Sequence, residues 1–282
     1  MARNRRAEIA AETVRILEQG FYQAPSGKRV ELEAAMRYCT NNTQLYTPDA
    51  LDPLLQDLQT RPRRRFPQTR VEVTNESSLE AARRMVAASD EPVICLNFAS
   101  AKNPGGGFLG GAQAQEESLA RSSGLYFSLL TQPHFYEFHR KQGDLLYSDH
   151  MIYSPKVPVF RTDEGTLLEE PYLLSFITSP APNAGALAKN QPARLGAVLE
   201  VLKVRSEKIL ALAVRLGYTR IILGAWGCGV FKNSPEEVAW AFHSHLAVGG
   251  LFNDRFQEVA FAILDKSEAG ATYAAFAHWF AS

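Results

Sequence analysis

The sequence is short of cysteine, of long apolar runs and of surplus charge, and each shortage excludes a class of protein. Its three cysteines, Cys39, Cys95 and Cys228, are odd in number and far apart, which argues against a disulfide framework and favours a reducing compartment. No apolar run approaches membrane-spanning length. Residues 7–12 carry acids where a signal peptide would have an unbroken apolar core. We therefore expect a soluble cytoplasmic protein.

The charge balance excludes a long-range attraction to polyanions. Thirty basic and thirty acidic residues cancel, so no global field draws the protein to nucleic acid or to a membrane surface, and any anion has to be bound locally. The most basic stretch, residues 61–65, could contact a polyanion, but a short run of this kind that contains proline is more typical of a solvated linker. We expect a monomer without direct nucleic-acid contacts.

Common metal and nucleophile signatures are also missing. His134 and His139 are five residues apart, a spacing that does not place both imidazoles on one face of a helix. His243 and His245 are two apart, which points them to different sides of a helix. Cys228 precedes a helix, a setting that can lower the pKa of a thiol, but no partner histidine is indicated, so we interpret it as a small loop residue. We expect neither a metal nor a cofactor.

The remaining pattern alternates strands and helices. A strand over residues 71–73, a capping box at Ser77 and Glu80, and a strand after Pro92 predict two parallel strands paired with each other. Further strands are expected near residues 151–153, 157–160, 172–177, 221–223 and 259–264, and helices over residues 116–130 and within 193–216. This alternation predicts a three-layer α/β/α sandwich with a mixed sheet over residues 69–282. Residues 1–68 are expected to form an accessory segment, with a helix of about three turns that ends at Gly20 and a hairpin around residues 25–27.

Glycine loops follow two of the predicted strands. One lies beyond the apolar residues 93–96, and the other, residues 224–231, lies between a strand and the helix-start signal at Ser234 and Pro235. Two such loops at one sheet edge can hold the two phosphates of a diphosphate with backbone N–H groups. Glu116 and Glu117 follow the first loop and could supply acid/base chemistry. The residues alone favour a simpler role for both, as first-turn acids that meet the helix dipole.

One motif of the first loop resembles a known family. Three glycines, Gly105 to Gly107, are followed after seven residues by Gln115, Glu116 and Glu117, and this spacing resembles the signature of the poly(ADP-ribose) glycohydrolases, which carry it on a macrodomain. Residues 96–100, 175–183 and 224–231 are similar to the bacterial-type branch of that family. The resemblance covers most of the chain and implies a macrodomain-like fold.

The resemblance also implies a reaction. Members of that family hydrolyse the ribose–ribose O-glycosidic bonds of poly(ADP-ribose) and release ADP-ribose, which reverses ADP-ribosylation of proteins and belongs to the DNA damage response. The transition state is expected to be oxocarbenium-like. Glu117 would start protonated, protonate the leaving 2′-oxygen and then deprotonate the incoming water, while Glu116 would hold the ribose hydroxyls.

The resemblance assigns substrate contacts as well. Phe231 would wall the distal ribose and bend the diphosphate, and Asn103 would orient a ribose or the loop itself. The further substrate-binding residues that it implies are Gly105, Gly106, Gly107, Gln115, Gly227, Cys228, Gly229 and Val230. The adenine pocket is poorly marked: Tyr273 and Phe276 are candidates, but helical spacing makes them core residues more economically. Cleavage at chain ends or within chains stays open, as does removal of the protein-proximal unit.

Two other functions stay open. A non-hydrolytic macrodomain that only binds ADP-ribose would have the same loops. Residues 105–110 also satisfy G-x-G-x-x-G after a strand, the dinucleotide-binding pattern of nicotinamide-dependent oxidoreductases. That pattern requires an acidic residue about 20 positions further on, and residues 126–133 contain none. Gly111 also prolongs the loop where a helix should begin, so we rank the oxidoreductase below the non-hydrolytic macrodomain that binds ADP-ribose.

Overall fold

The computed structural model describes residues 1–60, 65–67 and 69–280. Most of the basic stretch, residues 61–64, lies outside the described residues. Its last member, Arg65, donates its backbone N–H to the carbonyl oxygen of Asp254 at 3.1 Å. No helix in the described part of the chain is both long and apolar enough to span a membrane.

Helices cover much of the chain. They are α1 (Arg3–Gln19), α2 (Glu33–Asn42), α3 (Pro48–Thr60), α4 (Ser78–Ala88), α5 (Gln115–Ser122), α6 (Leu125–Leu130), α7 (Pro133–Gln142), α8 (Ala184–Asn190), α9 (Val198–Arg215), α10 (Pro235–Leu246) and α11 (Ala271–Phe280), with 3₁₀ helices at Phe108–Gly110 and Pro192–Ala197. The strands are β1 (Phe21–Gln23), β2 (Arg29–Glu31), β3 (Gln44–Tyr46), β4 (Arg70–Thr74), β5 (Val93–Phe98), β6 (Met151–Arg161), β7 (Leu167–Ser179), β8 (Arg220–Gly224) and β9 (Glu258–Ala262).

A mixed sheet forms the middle layer. Its order within the described residues is β3-β6-β7-β5-β8-β9-β4, with β3, β6 and β7 antiparallel and the rest parallel. Helices α3, α9, α10 and α11 cover one face and α4 to α7 the other. Strand β5 is buried on both faces, since Ile94 and Leu96 face the first helical layer while Val93 and Cys95 face the second. The predicted three-layer sandwich is confirmed.

Several local predictions need correction. Strands β4 and β5 are parallel, but β8 and β9 lie between them, so they do not pair with each other. The helix expected over residues 116–130 is two helices, because the chain leaves helical geometry at Ser123 and Gly124. The two strands expected at residues 151–160 are one bulged strand, β6. The capping box of α4 is confirmed, with Ser77 and Glu80 bonded reciprocally.

The N-terminal residues contact both the sheet and the helical layers. Helix α1 is longer than the predicted three turns but ends at Gly20 as expected, and β1 and β2 form the predicted hairpin. Strand β3 extends the central sheet by pairing with β6, and α3 contributes Leu51 and Leu58 to the core. The division between residues 68 and 69 stays a prediction.

Candidate active site

The two glycine loops border one cleft. Strands β5 and β8 are parallel neighbours, with Ile94 opposite Ile221, so the loops that follow them leave the sheet at the same edge. The cleft has a volume of about 1380 Å³, and its lining includes Gly106 and Gly107 from the first loop and residues 227–231 from the second. This carboxyl edge of parallel strands is the usual ligand site of open α/β sheets.

Glu116 lies in the floor of the cleft and is 2% exposed. Its Oε2 accepts the backbone N–H of Ser100 at 2.6 Å, and its Oε1 accepts from Nδ2 of Asn97 at 3.2 Å. Burial raises the pKa of Glu116 from 4.5 to about 8, against the opposing effect of these two hydrogen bonds. The carboxyl group therefore carries a proton at neutral pH.

Glu117, the next residue of α5, is half-buried and also borders the cleft. Its Oε1 accepts the backbone N–H of Gly107 at 3.0 Å. Gly106 has φ +60°, and a Cβ there would overlap the Glu117 carboxylate and come within 3.3 Å of Oε2 of Glu116. Because Gly106 has no side chain, the loop leaves room for both carboxyl groups.

Other predicted residues of the first loop support it from below or lie at its rim. Gly105 is buried, and a Cβ on it would come within 3.0 Å of Phe108. Asn103 borders the cleft and is exposed, and its carbonyl oxygen accepts the N–H of Gly106 at 3.0 Å. The Gln115 side chain accepts from the N–H of Phe98 at 2.9 Å and donates to the carbonyl of Leu96 at 2.8 Å. Gln115 thereby fastens the start of α5 to the end of β5.

The second loop is anchored by Trp226, which is fully buried and donates its Nε1–H to the carbonyl of Ser179 at 3.0 Å. A Cβ on Gly227 would come within 2.6 Å of Ala181, whereas a Cβ on Gly229 would meet nothing within 4 Å. Val230 is 74% exposed at the rim. The Phe231 ring is half-buried and lies 5.9 Å from that of Tyr147, centroid to centroid.

Cys228 borders the cleft, but its chemistry differs from that of a nucleophile. Burial raises the pKa of its thiol to about 12, so the thiolate is scarce at neutral pH. No group of three His, Cys, Asp or Glu side chains in the described ranges is arranged to hold a metal ion.

Sequence patterns did not indicate every residue of this site. Asn97 lies within residues 96–100, a segment already noted in the sequence, but no role was predicted for it; it is fully buried on β5, and its Nδ2 donates to Oε1 of Glu116. The polarity of Asn97 at a buried strand position was the available signal. Of the adenine candidates, Phe276 is fully buried in the core and Tyr273 donates its hydroxyl to the carbonyl of Val73 at 3.3 Å. Their neighbour Thr272 borders the cleft instead.

Comparisons with known proteins agree on one family. The family model of the microbial-type PARG catalytic domain, that is, of poly(ADP-ribose) glycohydrolases, matches residues 10–162. A crystal structure of poly(ADP-ribose) glycohydrolase from Thermomonospora curvata is 51% identical with a TM-score of 0.93, and the match covers 98% of this chain and 100% of that one. The same enzyme bound to the inhibitor ADP-HPD is 51% identical with a TM-score of 0.90 over 98% and 99% of the two chains.

A second organism provides a further similar structure. Poly(ADP-ribose) glycohydrolase from Deinococcus radiodurans in complex with ADP-ribose is 44% identical with a TM-score of 0.81, and the match covers 87% of this chain and 96% of that one. A search among curated proteins found no match. The structural matches extend over nearly the whole of both chains.

Proposed function

This chain belongs to the microbial-type poly(ADP-ribose) glycohydrolases, and we propose that its Glu117 is the general acid and base of their reaction and its Glu116 holds the substrate ribose. The protein is a glycosidase that hydrolyses the ribose–ribose O-glycosidic bonds of poly(ADP-ribose) and releases ADP-ribose. ADP-ribose is accordingly a ligand of its cleft. We also infer that the protein acts as a monomer, directly on the polymer or on ADP-ribosylated proteins.

One observation carries the assignment of Glu117. The N–H of Gly107 donates to Oε1 of Glu117, so Oε1 is occupied as an acceptor and Oε2 is the oxygen that would transfer the proton. In the first step this proton passes to the leaving 2′-oxygen as the bond to the anomeric carbon breaks. In the second step water attacks the anomeric carbon and returns a proton to the same carboxylate, which restores the starting state.

Glu116 has a different environment and therefore a different role. It is more deeply buried than its neighbour and carries a proton at neutral pH. A protonated carboxyl both donates and accepts hydrogen bonds, which suits the two adjacent hydroxyls of a ribose. Consecutive helical residues diverge by about 100°, so the pair addresses different atoms of one sugar.

The diphosphate is best accommodated between the two loops. Residues 105–107 would line the phosphates on one side, although the N–H groups of Gly106 and Gly107 donate to Asn103 and Glu117. The phosphate oxygens would accept from backbone N–H groups of residues 229–231 on the other side, where nothing lies within 4 Å of the Cβ position of Gly229. Phe231 would form the wall beside the distal ribose. Cys228 and Val230 would contribute backbone contacts.

Substitution of Glu117 by Gln tests the proposal. The variant keeps the shape of the side chain but cannot relay a proton, so release of ADP-ribose from poly(ADP-ribose) should fall by about 10²–10⁴-fold, while calorimetry should still detect ADP-ribose binding. Glu137→Gln is the matched control, because Glu137 is exposed on α7 and remote from the cleft lining. Unchanged turnover in Glu117→Gln would remove Glu117 as the acid.

A further inference from the structure

Three arginines hold three successive carbonyl groups of the segment that joins the first glycine loop to α5. Arg3 donates its Nε–H to the carbonyl of Gly110 at 2.9 Å, and Arg6 donates its Nε–H to that of Gly111 at 2.7 Å. From the opposite side, Nη1 of Arg121 donates to the carbonyl of Ala112 at 2.7 Å. We call Arg3, Arg6 and Arg121 the arginine cluster.

The arginine cluster forms no direct ion pair with a carboxylate. Within the described ranges, none of its three guanidinium groups forms an ion pair with a carboxylate within 4.0 Å. Arg121 is 3% exposed, and burial followed by the Arg6 charge lowers its pKa. Three positive charges therefore converge on a few residues of a chain whose net charge is zero, and the charges of Glu117 and Asp163 offset them only at Arg121.

Arg6 connects this cluster to the active site. It is half-buried and, with Met1, borders the same cleft as Glu117. Arg6 donates the hydrogen of Nε to the carbonyl of Gly111 and one hydrogen of Nη1 to the carbonyl of Met1. A guanidinium has five N–H donors. Among the described residues, the other three N–H groups of Arg6 donate to no protein atom and can bind a ligand at the mouth of the cleft.

The position of Arg6 decides which part of the substrate it would meet. Helix α1 packs against the 3₁₀ helix Phe108–Gly110 and α5, so Arg6 borders the cleft beside the helix that carries Glu117. Glu117 is the group proposed to protonate the leaving 2′-oxygen, and the rest of the polymer continues from that oxygen. Glu76, Glu80, Asp163 and Glu164 also border the cleft near the start of α4, and they would repel a phosphate.

We propose that Arg6, supported by Arg3 and Arg121, binds the diphosphate of the ADP-ribose unit that follows the scissile bond. This inference rests on the proposed role of Glu117 and adds a polymer subsite to it. Arginine suits a diphosphate because its planar fork donates two parallel charge-assisted hydrogen bonds to phosphate oxygens. The subsite makes the enzyme favour a polymer over a substrate whose leaving group carries no phosphate.

Two matched substrates isolate the contribution of the second diphosphate. Both carry an ADP-ribose joined through its distal anomeric carbon to the 2′-oxygen of an adenosine. In one, that adenosine belongs to a second ADP-ribose; in the other, it is the nucleoside without phosphate. Hydrolysis of both by the wild-type protein, followed as release of ADP-ribose, first tests the proposed function separately, since a protein that cleaves neither substrate fails at that step.

The variant Arg6→Gln then tests the subsite. It should lower kcat/KM on the diphosphate-bearing substrate roughly tenfold more than on the phosphate-free one, and it should reduce the slope of log kcat/KM against log salt for the first substrate by about 1. Arg5→Gln is the control on the same helix, because Arg5 is exposed, pairs with Glu8 at 3.1 Å and does not border the cleft; it should change neither rate.

Two outcomes would overturn the subsite. Equal losses on both substrates in Arg6→Gln, accompanied by a lower melting temperature, would show that Arg6 only holds the loop at Gly111. Unchanged rates on both substrates would show that no phosphate reaches Arg6. Neither outcome alters the test of Glu117, because that test measures release of ADP-ribose in a variant with the arginine cluster intact.

Discussion

Adjacent glutamates on the first turn of α5 have different environments, and the difference comes from the loop that faces them. Ser100 and Asn97 surround Glu116, whereas Glu117 meets the backbone of Gly107. The sequence shows the two carboxylates and the glycines, but it does not show that the two side chains have different partners. Those partners depend on how the loop between residues 99 and 107 folds back over α5. The resemblance to a family was therefore needed to assign roles.

The buried carboxyl of Glu116 should make stability depend on pH. Its pKa is about 8 in the folded state against 4.5 for an ordinary Glu, so the folded state holds a proton that the unfolded chain releases as pH rises between these values. Stability is thus lost across that window, by on the order of 4 kcal/mol. The Glu116→Gln variant should lose much less stability over the same pH range. Urea unfolding of wild type and variant at pH 5 and pH 8 measures the difference. Parallel losses in both proteins would contradict the buried, protonated state.

The glycines of the two loops should respond differently to alanine. Gly106→Ala places a Cβ on the Glu117 carboxylate at φ +60°, so turnover on poly(ADP-ribose) should fall by about 10²-fold or more, because the proposed acid is displaced. Gly229→Ala meets no protein atom within 4 Å. The melting temperature of Gly229→Ala should therefore stay unchanged. A weaker affinity of this variant for ADP-ribose would show that the added Cβ clashes with the ligand and not with the protein. Wild-type turnover in Gly106→Ala would disprove the steric account.

At the scale of elements, the break between α5 and α6 was the clearest departure from the predicted helix. Apolar spacing predicts one continuous helix, but Gly124 lies where α2 passes, and a Cβ on it would overlap Met36. The N–H of Gly124 donates to the carbonyl of Pro158 at 3.0 Å, so the chain leaves the helix to bond with β6. Such a long-range contact is invisible to a local pattern.

Replacement of Gly124 should therefore be costly. Gly124→Ala displaces the end of the buried Met36 side chain from its packed position and should lower the free energy of unfolding by about 1–3 kcal/mol. The control is Gly196→Ala, because Gly196 is exposed and no atom lies within 4 Å of its Cβ position; its effect should stay within about 0.5 kcal/mol. Urea denaturation of both variants measures the difference. Equal stabilities of the two variants would show that α2 accommodates the added methyl group without loss of stability.

Local sequence signals also do not predict which strands pair. Local signals predicted β4, α4, β5 and the capping box at Ser77, and all are present. Those signals could not show that β8 and β9, which come more than 100 residues later, lie between β4 and β5. Neighbouring strands in a parallel sheet are chosen by tertiary packing, so the order β5-β8-β9-β4 required the structure. That order brings the two glycine loops together.

At the scale of the whole molecule, neutral net charge limits how the protein attracts its substrate. The proposed binding of one ADP-ribose unit uses backbone N–H groups and few cations, so affinity for monomeric ADP-ribose should fall only modestly with salt. Polymer should show the steeper dependence, because its further diphosphates reach cationic side chains. Titrations of monomer and polymer over a range of salt concentrations measure both slopes. A steep slope for the monomer would contradict a backbone grip.

If Glu117 protonates the leaving oxygen, the loss of rate in Glu117→Gln must depend on how much protonation the leaving group needs. The rates of wild type and Glu117→Gln are compared on poly(ADP-ribose) and on an ADP-ribose whose distal anomeric carbon carries nitrophenol, which departs without protonation. Glu117→Gln should lose about 10²–10⁴-fold on the polymer and far less on the nitrophenyl substrate. Equal losses on both substrates would contradict the assignment of Glu117 as the general acid.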